Sequence, residues 1–180
     1  MKERFDAYCG LYCGACPILV ANVKGEVEKK AAEWDMAAEE IVCGGCKSEV
    51  NATYCGDCVM RLCARDRGLE FCGECEDYPC NTFETFQRDR FPHHTLITEN
   101  LGAICERGAV VWLEEQKKRW SCPKCGASST WYEEKCHECG GKLYDACAEE
   151  DDWAEETARE AAGTPDGAYW KLRKQLRRFR

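Results

Sequence analysis

The sequence predicts a small metal-stapled protein, mainly α-helical with irregular zinc-knuckle loops, plus a short β-hairpin zinc ribbon. Three observations predict it. Seventeen of the 180 residues are cysteine, close to the density at which cross-links or metals hold a scaffold together. Leu, Ile, Val and Phe number only 28, too few large apolar side chains to offset a backbone ordering cost of about 1–2 kcal/mol per residue. Helix-forming stretches lie between the cysteine pairs, which themselves fall in Gly-containing loops. Sulfur must therefore supply what the core cannot.

Metal is the expected staple, and disulfide the rejected one. Residues 1–10 carry charges but no apolar signal region, and the longest apolar runs, residues 18–21 and 109–113, are too short to cross a bilayer. The expected location is thus cytoplasmic, a reducing compartment where Cys-x-x-Cys pairs read as metal ligands. The odd cysteine total also leaves one thiol over in any complete disulfide scheme. Net charge is −8, and residues 1–80 alone hold 15 acidic against 9 basic side chains. That sign argues against non-specific binding to nucleic acid, which rests on phosphate neutralisation.

The organisation follows from the spacing: residues 1–119 a cysteine-rich domain with a helical connector, 120–146 a zinc ribbon, 147–180 an acidic then basic helical tail. Residues 23–41 include a helical run rich in Ala, Glu and Lys, ended by Cys43-Gly44-Gly45. Phe83 and Phe86 share a face of a short helix that stops before Phe91-Pro92. Thr98 is the expected cap of a helix carrying Leu101 and Ile104. Gly108 punctuates it, and residues 111–118 continue helically. Thr164-Pro165 launches a last helix bearing Tyr169, Leu172, Leu176 and Phe179. Cys147 is expected to be an unpaired thiol.

Cys122-Pro-Lys-Cys125-Gly and Cys136-His-Glu-Cys139-Gly are the strongest motif. In each half the two-residue gap lets both sulfurs face one ion at about 2.3 Å. The following glycine suits a turn with positive φ. Residues 128–134 between them are expected to form a short hairpin. Four thiolates close a tetrahedral site with no open position, so the metal is structural. Zinc is the expected ion; iron in a rubredoxin-like site is the competitor.

The N-terminal half holds eleven more sulfurs: Cys9, Cys13, Cys16, Cys43, Cys46, Cys55, Cys58, Cys63, Cys72, Cys75 and Cys80. Eleven exceeds two tetrahedral sites and falls one short of three. The preferred count is two zinc sites from paired units, with the remainder free or in a third site; spacing does not decide the partition. His93 or His94 could supply a twelfth ligand, although adjacent histidines after a proline are more often a polar loop. Cys105 beside Ile104 reads as a buried thiol. An iron–sulfur cluster in residues 9–80 is the alternative to zinc. Cys9, Cys13 and Cys16 also have the spacing with which radical S-adenosylmethionine enzymes hold a four-iron cluster. Ala15, however, stands where an aromatic is usual there, and no strand–helix succession accompanies it. No phosphate-binding glycine loop, GxSxG or HExxH is present in the sequence, so an enzyme is not expected.

CGLYCGACP, CGGC and CVMRLCARDRGLEFCGECEDYPC together resemble domain-of-unknown-function family 3795. ITENLGAICERGAVVWLEEQKKRWSCPKCG resembles the connector and ribbon of its longer members, so the likeness covers about residues 6–142. The resemblance implies a prokaryotic cytoplasmic, metal-binding protein and supplies no activity. Three function classes follow: a zinc-structured binding or adaptor module first, an iron–sulfur redox protein second, a soft-metal handling protein third. Residues 170–180 interleave six bases with apolar side chains. This face fits docking on the chain's own acids (Glu149 to Glu160) ahead of an unknown protein partner or nucleic acid, and least a membrane.

Overall fold

The computed structural model describes residues 3–89, 91–144 and 146. Seven short α-helices carry the described residues: α1 Pro17–Lys24, α2 Val27–Glu33, α3 Thr53–Gly56, α4 Val59–Asp66, α5 Asn81–Gln87, α6 Ile97–Arg107 and α7 Ala109–Arg119. Short 3-10 turns at Cys13–Ala15, Ala38–Ile41, Cys72–Glu74 and Pro92–His94 connect them. Among the described residues there is no sheet, only three isolated antiparallel bridges.

The helical run expected over residues 23–41 is broken. α1 starts earlier, at Pro17, whose fixed φ suits a first helical turn, and it ends on Gly25 at φ 70°. α2 follows as a separate element. α6 begins at Ile97 and its N-terminal flank is Leu96, so Thr98 lies inside the helix and is not its cap. Gly108, at φ 82°, separates α6 from α7, letting the two pack on each other. The tail, residues 147–180, lies outside the described residues, and with it the docked-helix expectation and Cys147.

Most of the core sits where α6 and α7 meet the first loop. Trp112, Ile97 and Phe83 are fully buried, and Leu101, Phe71 and Tyr12 are buried beside them. The Trp112 indole meets the Tyr12 ring edge-on at 6.1 Å and donates from Nε1 to Asn100 Oδ1 at 3.3 Å. A second cluster gathers Ile18, Ala31, Ile41 and Ala52. Asn22 braces it: its Nδ2 donates to the carbonyls of Ile18 and Ile41, and its Oδ1 accepts from the Cys43 N–H. Both clusters are small, and the cysteines form much of their margins.

Candidate metal centre

The centre hangs from the end of α7. Beyond Arg119 the chain makes two similar knuckles. In the first, the Cys122 N–H donates to Ala127 O at 2.7 Å and the Gly126 N–H to Cys122 O at 2.8 Å. In the second, the Cys136 N–H donates to Gly141 O and the Gly140 N–H to Cys136 O, each at 2.8 Å. Gly126 and Gly140 have φ of 76° and 65°, the left-handed turn that glycine adopts without steric cost. Each knuckle is closed by one bridge, Ser121 to Ser128 and Lys135 to Lys142.

The hairpin expected over residues 128–134 is not found among the described residues. Glu133 instead folds back to accept from the Thr130 N–H, making a tight turn. Too little extended chain then remains beside either knuckle to ladder.

The two knuckles bring four sulfurs together. Cys122 Sγ lies 3.5 Å from Cys139 Sγ, and Cys125 Sγ 3.5 Å from Cys136 Sγ. All four fall within 4.8 Å of one another. A disulfide would need about 2.0 Å, whereas ligands about 2.3 Å from one tetrahedral ion stand about 3.8 Å apart. The quartet therefore fits a single ion. Cys122 and Cys136 are buried over Leu143, and Cys125 is exposed. The Cys125 backbone N–H pulls the Cys122 thiol down to about 6, so one charge is favoured before an ion arrives. His137, within the second knuckle, turns outward toward Lys24 and Glu133.

Sequence reasoning missed how this unit is seated. Trp131 stacks on His93 at 3.6 Å between centroids, and its backbone N–H donates to Ala15 O at 3.2 Å. His93 Nδ1 lies 2.5 Å from Tyr132 Oη. His94 stacks on Phe86 and lies 2.8 Å from Asp89 through Nδ1. His93 thus packs the connector against the last loop, while His94 is engaged within the connector itself. Cys105, expected to be buried, is exposed on α6: it follows the core-facing Ile104 and is turned about 100° from it, toward solvent.

The other eleven sulfurs lie in the N-terminal half as free thiols. Among the described residues, no three of them draw within 4.8 Å of one another. Burial is the leading influence on those that shift, and the neighbouring sulfurs add to it. Burial pushes Cys55 up to about 12, followed by Cys16 and Cys43 ahead of Cys46 and Cys58. It pushes Cys16 up to about 11, with Cys43 as the sulfur neighbour. Cys9 is raised well above the ordinary thiol range by burial, then by Cys46, Cys58 and Cys72. Cys13 is raised by burial, then by Cys46, Cys16 and Cys9. Cys72 rises to about 12 by burial, then through Cys63, Cys80, Cys46 and Cys75. Such thiols are neutral unless a cation arrives, and a bound metal reverses that preference.

Backbone N–H groups and cations already face several of these sulfurs. The Gly45 N–H donates to Cys43 Sγ at 3.3 Å, and nearby backbone N–H groups offset part of the burial on Cys16 (Leu19 and Ile18), Cys9 (Leu11), Cys13 (Cys46) and Cys46 (Tyr8). Arg67 reaches Cys75 Sγ at 3.0 Å. The Lys47 ammonium is buried against Asp6 at 2.8 Å and over the Phe71 ring at 3.6 Å.

No curated protein and no solved structure matches this chain. Residues 5–85 match the model of a family described as a protein of unknown function (DUF3795), a span that contains every one of the eleven N-terminal cysteines and stops short of the quartet.

Proposed function

We propose that the chain is a zinc-binding adaptor module in which Cys122, Cys125, Cys136 and Cys139 hold one structural zinc ion. One observation carries this reading: four sulfurs within 4.8 Å of one another, with paired edges of 3.5 Å. A closed set of four thiolates leaves no position for substrate. The metal then shapes a surface and does no chemistry. In this reading residues 1–119 form a cysteine-rich unit with a helical connector, residues 120–146 a zinc ribbon and residues 147–180 an acidic then basic tail. No described helix is long and apolar enough to cross a membrane.

The test is metal analysis of the full chain against a Cys122→Ser/Cys125→Ser variant. The wild type should hold one zinc that the variant lacks. The variant should expose Trp120 and Trp131 to solvent, shifting their fluorescence to the red, while α1 to α7 keep their circular dichroism. Identical fluorescence and protease patterns would exclude the ribbon.

A further inference from the structure

We propose that residues 149–158 of this chain dock antiparallel along the exposed face of α7, their acids on Lys117 and Lys118 and their apolar arc on Val110 and Val111. The docking goes beyond the zinc-adaptor reading and does not depend on which metal the quartet holds.

α7 is two-sided. Trp112 and Gln116 are buried and Leu113 is half-buried, so at about 100° per residue one arc faces the core. Val110, Val111, Glu114, Lys117 and Lys118 share the arc away from it, and all five are exposed. Val110 is 76% exposed and Val111 46%, so two large apolar side chains stand together in water. The face is graded along its length: valines in the first turn, lysines in the last. Glu115, at its margin, is held by Arg107 at 3.0 Å.

The described chain ends at the lysine end of this face. The Tyr144 ring meets Trp120 edge-on at 4.9 Å and lies against the Arg119 guanidinium at 4.3 Å. Ala146 is buried in the main cluster with Trp120. Residue 149 is three positions further on, within about 10 Å.

The sequence beyond matches the face in charge and in spacing. Glu149, Glu150, Asp151 and Asp152 come first, and the residues after them are rich in Ala and Glu, good helix formers. In a helix, Trp153, Ala154, Thr157 and Ala158 fall on one arc of about 140°, with Glu150 on the same arc. Glu155, Glu156 and Glu160 fall on the other side. With Glu150 set opposite Lys118 in an antiparallel pair, Ala158 falls opposite Val110, about 12 Å away along both helices. Glu114 then faces Ala154, which carries no charge. Exposed ion pairs hold little by themselves, so the apolar arc supplies the grip and the charges the direction. The reverse orientation would lay the acids on the valines.

The test is carbodiimide cross-linking of the full-length chain, light and isotope-labelled copies mixed, read by mass spectrometry. Lys117 and Lys118 should couple to residues 149–152 of the same chain. Hydrogen exchange at residues 152–158 should be slowed about tenfold or more against unstructured chain. Lys117→Glu/Lys118→Glu should remove that protection, and adding Glu150→Lys/Asp151→Lys should restore it. Val110→Ser/Val111→Ser should remove it too, although both positions are exposed on α7. The amides of α6 are the internal control and should not change. The wild-type couplings decide the matter even where a variant misfolds. Coupling of residues 149–152 to Lys171 or Lys174 alone would overturn the proposal in favour of a hairpin within the tail. Coupling only between light and labelled copies would overturn it in favour of a second chain, and unprotected exchange at residues 152–158 would leave the face bare.

Discussion

Gly45 sits between Cys43 and Cys46 at φ 102°, and a Cβ there would lie 1.8 Å from the Arg4 carbonyl oxygen. No rotamer relieves that overlap, because the atom it meets is backbone. Gly45→Ala must therefore push residues 3–6 away from the Cys43–Cys46 loop. The backbone conformation alone costs about 1–3 kcal/mol for a residue with a Cβ. Displacement breaks the Arg4 N–H to Gly44 O bond of 2.8 Å, about 1 kcal/mol. It also disturbs the salt bridge between Asp6 and buried Lys47. The sum is about 3–5 kcal/mol.

Gly68→Ala is the control. Gly68 has φ 68°, and a Cβ added there would meet nothing within 4 Å, so the substitution should cost only the conformational part, about 1–2 kcal/mol. Urea unfolding of both variants at equal metal load, followed by circular dichroism, measures the difference. If Gly45→Ala unfolds at the same urea concentration as Gly68→Ala, the reasoning from close approach is refuted.

Asp6→Asn leaves the Lys47 ammonium, 4% exposed, with only Glu70 as ion partner, and should cost about 3 kcal/mol by breaking a buried pair; calorimetry checks it. Burial raises the Asp6 carboxyl, but bonds from Arg4 and Lys47 outweigh it and hold its pKa below the ordinary value. Its stabilisation is thus present above about pH 3.9 and lost as pH falls through the lower folded value, so Asp6→Asn should flatten that acid limb. Trp131→Ala removes the stack on His93 and should make the Cys122–Cys139 unit cleavable by trypsin while its zinc stays bound. Trp112→Phe keeps an aromatic ring but loses the bond to Asn100 and should cost about 1–3 kcal/mol, read by urea midpoint.

Legibility in the sequence depends on whether the signal is local. Cys122, Cys125, Cys136 and Cys139 form a unit because each knuckle is made by five consecutive residues ending in a positive-φ glycine. α5, α6 and α7 follow from apolar spacing and from Gly108 in the same way. Contacts between distant segments set the rest. Cys13 and Cys16 part company only because two apolar clusters form on either side of them. Asp6 resembles any solvated acid until Lys47 is packed beside it. Between the knuckles, Glu133 closes a turn where the sequence suggests extended chain. Cys105 looks core-facing through its neighbour Ile104, yet one helical step of about 100° carries it to the solvent side.

The bond from the Trp131 backbone N–H to the Ala15 carbonyl has a consequence for biosynthesis. The acceptor leaves the ribosome long before the donor is translated. Throughout that interval the loop bearing Cys13 and Cys16 lacks a tether that the finished chain supplies. Completion of the last loop thus adds the final fastening to the earliest one, so a chain truncated before Trp131 would hold its first motif through Phe5 and Trp112 but without this tether.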